Sequence, residues 1–336
     1  MPDPHDFPPW LLPYQPQVPL PELIVRANEI FHDCEASHYD RRHPETTGEW
    51  ANRWRDMIAE ALRQNPGRGW RILDFGCGTG FASSQLLKYL PAASVISLTC
   101  YDLSPRMLEC CRTKIAKVFP GAHFCNRLEG LAEWGPFNLL ATNALLHHLP
   151  NPARTMSELL PSLARDAVSL AGVEPSVRFH KNDQCARHYD QYQRLQRRSA
   201  LRSSVRFLKP SYWSKKIPKL LHLVPCPRKA TARLAVKQGL FKRQPPAGLI
   251  DRLVDYHVAH SPKEAEAGRG FDIEDLQAML ADHWAPAWFK SFAFMGKHPE
   301  NELPRRWRSS CADLAARFPL DGAFFTAIWR RAGPRR

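Results

Sequence analysis

Three glycines, Gly76, Gly78 and Gly80, alternate at the end of a short apolar run. Apolar residues precede them from Ile72 to Phe75, and helical spacing of apolar residues begins at Phe81, so the pattern predicts a buried strand, a tight turn and a helix start. A Cβ would obstruct both the turn and the close approach of backbone N–H groups to a ligand. In open α/β sheets such turns bind cofactors at the carboxyl ends of strands.

The glycine spacing argues against two common phosphate-binding signatures. A dinucleotide fingerprint needs a third glycine where this chain has Phe81, and the Gly-Lys-Ser/Thr ending of a P-loop is absent. A second β-type run ends in Asp102, after which Ser104 and Pro105 form a good helix start. A carboxylate at this strand tip can accept hydrogen bonds from ribose hydroxyls, so the two segments favour a nucleoside ligand.

A third segment, residues 137–150, has the pattern of a strand and ends in His-His-Leu-Pro. Together the three segments resemble class I S-adenosylmethionine-dependent methyltransferases, through the acidic-x-G-x-G-x-G motif at Asp74 to Gly80, the acid Asp102 and this strand ending. The resemblance covers residues 22–175 and 270–331. It implies S-adenosylmethionine (SAM) as the cofactor and a small molecule as the methyl acceptor.

The resemblance also implies which residues bind the cofactor. They are Asp74, Gly76, Gly78, Gly80, Asp102, Leu103, Asn126 and Asn143. Asp74 would order the glycine turn, Asp102 would bind the ribose, Leu103 would line the adenine face and Asn143 would lie near the methionine end. The family usually has an acid near the adenine amine, and Asn126 can accept the same hydrogen bond.

Candidates for catalysis follow the fourth strand, where an acceptor would meet the methyl group. A histidine with a pKa of about 6.5 can take a proton at neutral pH, so His148, with His147, is predicted to act as a base or to orient the acceptor. Simple capping and packing of the loop is the alternative for this pair. Tyr39 lies in a segment that resembles the one closing over the cofactor in many small-molecule members, although a turn between two helices explains it equally well. Further candidates are Glu174, His180, His188, His257 and His260, and no metal site is expected.

Strands that alternate with helices predict an α/β fold with right-handed crossovers. We expect a seven-stranded, mostly parallel Rossmann-like sheet flanked by helices, with an N-terminal helical cap and a helical insert between strand 5 and the next helix. The predicted strands are 71–76, 94–102, 122–126, 137–142, 167–173, 288–295 and 324–330. The predicted helices around them are 81–90, 105–119, 153–164 and 303–318.

The chain is predicted to divide into five regions. They are a proline-rich arm (1–21), a helical cap (22–66), a SAM-binding core (67–175), a basic substrate lid or insert (176–268) and the end of the core with strands 6 and 7 (269–336). The arm holds eight prolines and is expected to be extended, without a core of its own.

The positive charge is concentrated in one region. Residues 175–244 contain 18 Lys and Arg against two acids, so this segment alone exceeds the net charge of +14. Such a local excess suggests an anionic surface or an acidic carrier protein as a partner of 176–244, although a solvated arginine-rich lid is also compatible with it. The Asn-Pro-Pro-Tyr and Pro-Cys motifs of DNA base methyltransferases are absent, which makes nucleic acid the weaker partner.

The favoured function is transfer of a methyl group from SAM to O, N or C of a small acceptor that is apolar, lipid-like or anionic. The alternatives are an RNA methyltransferase that uses the basic insert and a non-catalytic SAM-binding scaffold or assembly factor. No run of 18 apolar residues and no secretory signal pattern occurs, so we expect a cytoplasmic protein, with peripheral membrane contact as an option. The nine cysteines lack framework spacing and are expected to be reduced thiols.

Overall fold

Seven strands form one sheet in the computed structural model, which describes residues 6–43, 48–202, 226–259, 262–266, 270–296 and 303–332. The strands are β1 (Trp70–Phe75), β2 (Val95–Tyr101), β3 (His123–Cys125), β4 (Phe137–Asn143), β5 (Leu163–Pro175), β6 (Trp284–Phe292) and β7 (Phe324–Arg331). Their order is β3-β2-β1-β4-β5-β7-β6, and β7 is antiparallel to both of its neighbours, whereas the other pairs are parallel. The predicted fold class is confirmed.

Helices cover both faces of this sheet. The described α-helices are α1 (Leu20–Glu35), α2 (Tyr39–Arg42), α3 (Glu49–Gln64), α4 (Phe81–Tyr89), α5 (Pro105–Ile115), α6 (Pro152–Glu158), α7 (Arg178–Lys181), α8 (Asp183–Arg202), α9 (Pro227–Lys237), α10 (Ala247–Val254), α11 (Pro262–Glu266), α12 (Ile273–Leu280) and α13 (Arg305–Arg317). On one face, Trp54, Leu86 and Leu108 join the core, and on the other Met156 and Leu276 do so. Burial on both faces explains the continuous apolar runs of the parallel strands. Within the described part of the chain, no helix has the length and apolar content needed to cross a bilayer.

The connection from β4 to β5 differs from its predicted boundaries. α6 ends at Glu158, not near residue 164, and Pro161 lies in the turn that follows, where its ring and missing N–H prevent a continuous helix. β5 therefore begins at Leu163, opposite Phe137 of β4, instead of at 167. β6 also begins four residues earlier than predicted and stops before Ala293, which has a φ of 65°.

The N-terminal arm is folded onto the cap helix. Phe7 and Leu11 are buried in one cluster with Leu23 and Ile24 of α1, and Leu12–Tyr14 form a 3-10 turn. The predicted extended arm is therefore wrong for this stretch. Its apolar side chains are removed from water by packing on α1, which outweighs the stiffness of the prolines.

Helices α9 and α10 of the insert pack behind the same helix, whereas α7 and α8 pack with α13. Ala235 of α9 and Leu249 and Leu253 of α10 belong to the cluster that contains Leu23 of α1. α1 thus lies between the insert on its outer side and the sheet edge on its inner side. The centre of the basic segment, 203–225, lies outside the described residues.

Candidate functional site

The glycine turn joins β1 to α4, and its three glycines have different surroundings. All three have a positive φ, of 72°, 53° and 88° for Gly76, Gly78 and Gly80. A Cβ on Gly76 would lie 2.6 Å from Leu145 Cδ1, and one on Gly80 would lie 3.0 Å from Cys111 Sγ, whereas one on Gly78 would meet nothing within 4 Å. Gly78 therefore borders open space, where a ligand can approach the backbone closely.

Asp102 follows β2 and is directly bonded to this turn. Its Oδ2 accepts a hydrogen bond from the Gly78 N–H at 2.7 Å, and its Oδ1 accepts one from the Ser104 N–H at 2.9 Å. Burial raises the pKa of Asp102 to about 6, and the two backbone hydrogen bonds oppose this rise. Each carboxylate oxygen has a second lone pair, so Asp102 can also accept hydrogen bonds from a diol.

Asp74 fixes the first turn of α4, which directly follows the glycine turn. It is fully buried, and its Oδ2 accepts hydrogen bonds from the backbone N–H of Ser83 at 2.9 Å and from the Ser83 hydroxyl at 2.5 Å. Burial raises the pKa of Asp74 to about 8. Because Asp74 does not line the cavity described next, the geometry favours the structural role suggested by the sequence.

A cavity of about 640 Å³ opens at the carboxyl ends of β1, β2 and β4. Its sheet-side wall contains Phe75, Gly76, Gly78, Tyr101, Asp102, Leu103, Ser104, Met107, Leu128, Asn143, Ala144 and Leu145. Its other wall contains residues of α1, Tyr39 and the segment 148–158. No described residue of 176–268 lines it. Helices α9 and α10 lie behind α1, and α7 and α8 pack with α13, so these parts of the predicted lid do not cover the cavity.

Two aspartates fasten the cap to the sheet edge. Asp33 of α1 accepts hydrogen bonds from the Ser104 hydroxyl at 2.5 Å and from the Arg106 N–H at 3.2 Å. Asp40 of α2 accepts one from the Thr79 hydroxyl at 2.6 Å and pairs with Lys114. These contacts join the cap to the glycine turn and to both ends of α5, and they hold the cap against the sheet edge.

Leu103, Tyr39 and Asn143 all line the cavity. Leu103 is 39% exposed and Tyr39 faces the cavity with its ring 4.3 Å from that of His43. Asn143 lines the cavity and accepts a hydrogen bond from Trp54 Nε1 at 2.8 Å. Gly172 leaves room for that indole, because a Cβ there would lie 2.3 Å from Trp54 Nε1.

Asn126 is not brought into the cavity. It is exposed and lies in a separate shallow depression with Phe124 and Arg127. β3 ends at Cys125, and the chain then turns so that Leu128 reaches the cavity in its place. An apolar side chain thus occupies the wall where the sequence predicted an amide.

His148 lines the cavity in a neutral state. Its Nδ1 lies 2.6 Å from the carbonyl oxygen of Val254, and because a carbonyl only accepts, Nδ1 carries the proton and Nε2 holds the free lone pair. Burial lowers the pKa of His148 well below 6.5, and the neighbouring His147 and His32 add to this. The ring of His32 from α1 packs edge-on against it at 5.3 Å.

His147 points away from the cavity and contacts a buried carboxylate. Its Nδ1 is 2.9 Å from Oε2 of Glu174, which is fully buried. Oε1 of Glu174 accepts hydrogen bonds from the N–H groups of Leu145 and Leu146 at 2.8 and 2.9 Å. Glu174 and His147 therefore hold the loop that carries His148.

Among the described residues, the other histidine candidates do not line the cavity. His180 and His188 lie in α7 and α8, and His257 stacks on Phe271 at 5.0 Å. His260 lies outside the described residues. Sequence reasoning did not identify His32 or Glu29, which α1 presents to the cavity with Val25 and Asn28. These four residues are spaced by three and four along α1 and therefore share one face of the helix, and this pattern is the signal that could have identified them.

The cavity carries an acidic excess although the chain is basic. Its charged lining residues are Glu22, Glu29, Asp102, Glu158 and Arg154, and Arg154 is paired with Glu158 at 2.8 Å. Burial raises the pKa of Glu29, with Asp33 adding to the rise. This charge pattern suits a positively charged ligand and disfavours an anionic one.

Comparisons with known proteins find similarity to methyltransferases. Residues 73–169 match the model of a methyltransferase domain. The ribosomal RNA small subunit methyltransferase C of Shewanella oneidensis is 31% identical over 140 residues, which cover 37% of this chain and 38% of that protein. Trans-aconitate 2-methyltransferase of Methylobacterium nodulans is 33% identical over 134 residues, or 40% of this chain and 45% of that protein. This chain thus spans less than half the length of these curated relatives.

Solved structures with similarity along most of the chain are also methyltransferases. Magnesium protoporphyrin IX methyltransferase of Synechocystis PCC 6803 is 13% identical, with a TM-score of 0.45 over 91% of this chain and 100% of that chain. The plantazolicin methyltransferase BpumL is 15% identical, with a TM-score of 0.44 over 94% of this chain and 97% of that chain. These identities are too low to transfer an acceptor to this chain.

Proposed function

We propose that this chain, whose residues 73–169 carry a methyltransferase domain, transfers the methyl group of SAM to a small acceptor. One observation carries the proposal: the Asp102 carboxylate lies 2.7 Å from the N–H of Gly78, at a point where a Cβ would meet only open space. A ribose can therefore contact the acid while the rest of a nucleoside passes along the turn.

The positions and the charges of the cavity residues both support SAM as the ligand. Asp102 would bind the ribose hydroxyls, Leu103 and Leu128 would enclose the adenine, and Asn143 would face the methionine end. The acidic excess suits a ligand that carries a sulfonium and an ammonium group. When bound, SAM supplies a methyl group that is already electrophilic, so the protein contributes mainly by positioning the acceptor.

Within this proposal, His148 receives the proton of the acceptor. Its ring is neutral and Nδ1–H is fixed on Val254, so the lone pair of Nε2 is available to the acceptor. Because its pKa lies well below 6.5, His148 is a weak base that holds the proton only while the methyl group is transferred. His147 and Glu174 act as positioning residues, because they hold the loop without reaching the cavity. His32, in ring contact with His148, limits how that imidazole can turn.

The cavity favours an acceptor that is neutral or cationic and largely apolar. Val25, Leu149 and Pro150 contribute apolar surface on the acceptor side, and the only Lys or Arg among the described lining residues is Arg154, which is already paired. The acidic lining disfavours an anionic acceptor, so of the acceptors expected from the sequence the apolar and lipid-like ones are favoured. The basic segment then serves another purpose, such as contact with an anionic surface or an acidic carrier protein.

Binding of S-adenosylhomocysteine (SAH), measured by calorimetry, tests the nucleoside site. Asp102→Ala should weaken binding about 100-fold or more, because hydrogen bonds to a charged group contribute about 1.5 to 3 kcal/mol each. Asp282→Ala, at an exposed position after α12, is the matched control and should bind like the parent chain. Equal affinities of the two variants would contradict the assignment of Asp102.

Methyl transfer is tested by incubating the chain with methyl-labelled SAM and fractionated cell extract. Label should appear in a small-molecule fraction and should be lost with Asp102→Ala. Label in RNA would overturn the small acceptor in favour of an RNA substrate. SAH binding without transfer to any fraction would favour a non-catalytic scaffold.

A further inference from the structure

Three thiols from different parts of the chain meet beneath the glycine turn. Cys77 lies in the turn, Cys100 in β2 and Cys111 in α5, and their sulfur atoms are all within 4.8 Å of one another. Cys77 is 4% exposed, and the other two are fully buried. We refer to Cys77, Cys100 and Cys111 as the thiol cluster.

Polar groups lie next to two of the three sulfurs. The carbonyl oxygen of Gly78 lies 3.7 Å from Cys77 Sγ. The hydroxyl of Ser83 lies 3.3 Å from Cys100 Sγ, and Ser83 is itself fixed by Asp74. Metal binding requires the thiolate form of cysteine, so the cluster would lose its thiol protons when an ion binds.

The number and type of ligands select the ion. Structural zinc sites are four-coordinate, and among the described residues no histidine, cysteine or carboxylate joins the three sulfurs within that distance. Calcium and magnesium require oxygen ligands, which the cluster does not offer. Soft thiolate ligands suit Cu(I), zinc and Fe–S clusters, and because zinc and Fe–S clusters take four protein ligands, a set of three thiolates favours Cu(I).

We propose that Cys77, Cys100 and Cys111 form a three-sulfur binding site for a soft monovalent metal ion, with Cu(I) as its ligand. Binding replaces thiol protons, which leave to solvent, and changes the oxidation state of neither sulfur nor copper. The site is separate from the cavity, because none of the three side chains lines it.

Competition with a chromophoric Cu(I) chelator, under anaerobic and reducing conditions, measures the affinity of the full chain. Cys111→Ala should bind Cu(I) at least about tenfold more weakly, since even loss of an outer-shell partner costs about 10- to 100-fold in metal affinity. Cys110→Ala is the matched control, because Cys110 is the adjacent residue of α5 and lies outside the cluster. Thermal melting establishes that both variants are folded.

X-ray absorption at the copper edge on the unmodified chain, loaded with one equivalent of Cu(I), provides a measurement that does not depend on a variant. Three sulfur neighbours and no nitrogen or oxygen neighbour are expected. Two sulfurs, or any oxygen or nitrogen ligand, would overturn the site. Equal Cu(I) affinity of Cys111→Ala and Cys110→Ala would overturn it as well.

Discussion

The two halves of the cavity are built in different ways. The half proposed to hold the nucleoside, here called the nucleoside half, consists of backbone turns and one carboxylate at the ends of β1 and β2, and Gly78 and Asp102 lie only 24 residues apart in the chain. The acceptor half depends on α1 and the segment after β4, where Val254 from α10 fixes His148 across 106 residues. Variants in the first half should therefore affect cofactor affinity, whereas variants in the second should affect transfer.

The sharpest test of this division is His148→Ala. Loss of the base should lower the rate of methyl transfer by about 10²- to 10⁴-fold, while SAH affinity changes little. Single-turnover transfer to the labelled acceptor fraction, together with SAH calorimetry, measures both. A variant that loses SAH affinity as strongly as it loses rate would show that the halves are not independent.

His147→Ala provides the comparison for His148→Ala. His147 touches Glu174 and not the cavity, so its loss should lower the rate less, by disordering the loop. The pH profile should keep a single step for His148 but move to higher pH, because His147 helps to lower the pKa of His148. A larger effect on rate than that of His148→Ala would reverse the roles given to the two histidines.

The residues proposed to bind the nucleoside could be grouped from the sequence because they lie close together in the chain. Asp74, the glycines and Asp102 lie at strand ends, so strand pattern and turn residues were enough to bring them together. The prediction that Asn126 lines the cavity was wrong. β3 is only three residues long, and the sequence pattern could not place its end to within one residue. That small offset brings Leu128 to the cavity in its place.

The acceptor half could not be predicted to the same depth, because its contacts are long-range. Nothing near His32 in the chain indicates that it meets His148, and Glu174 was only a weak candidate although it holds the loop. The thiol cluster is similar: its cysteines are 23 and 11 residues apart, a spacing unlike any metal signature, and only the β1–β2–α5 packing unites them. Folding creates such sites from residues whose local patterns are unremarkable.

Gly78 and Gly76 lie in the same turn, but Gly78 borders open space and Gly76 is packed against a side chain. Gly78→Ala should cost about 1 to 2 kcal/mol of stability from its positive φ and should weaken SAH binding about 10- to 100-fold, because the added methyl occupies ligand space. Gly76→Ala should cost about 2 to 5 kcal/mol, because its Cβ also overlaps Leu145. Thermal or urea unfolding and SAH calorimetry measure the two effects. Unchanged SAH affinity in a folded Gly78→Ala variant would argue against close approach of the nucleoside.

The pH dependence of SAH binding tests the ionised form of Asp102. Its pKa in the unbound protein is raised to about 6 by burial, and ribose hydroxyls donate to the carboxylate, so binding favours the charged state. Affinity should be constant above about pH 6 and should fall as the pH drops through 6, by up to about tenfold per unit. Asp102→Asn should remove this slope. Glu29→Gln is the control and should keep it, although the pKa of Glu29 is also raised by burial.

The smallest expected effect concerns the contact between the halves. Asp40→Asn weakens the pairing with Lys114 and the hydrogen bond from Thr79, so α2 should release from the glycine turn more often. Exposed pairs contribute about 0.2 to 1 kcal/mol, so SAH should dissociate about two- to fivefold faster in a stopped-flow displacement experiment. Asp166→Asn, which loses a pair with Arg68 at the start of β5, should leave dissociation unchanged. Faster dissociation in both variants would indicate a general loss of stability, whereas an effect confined to Asp40 would show that the cap retains the ligand bound in the nucleoside half.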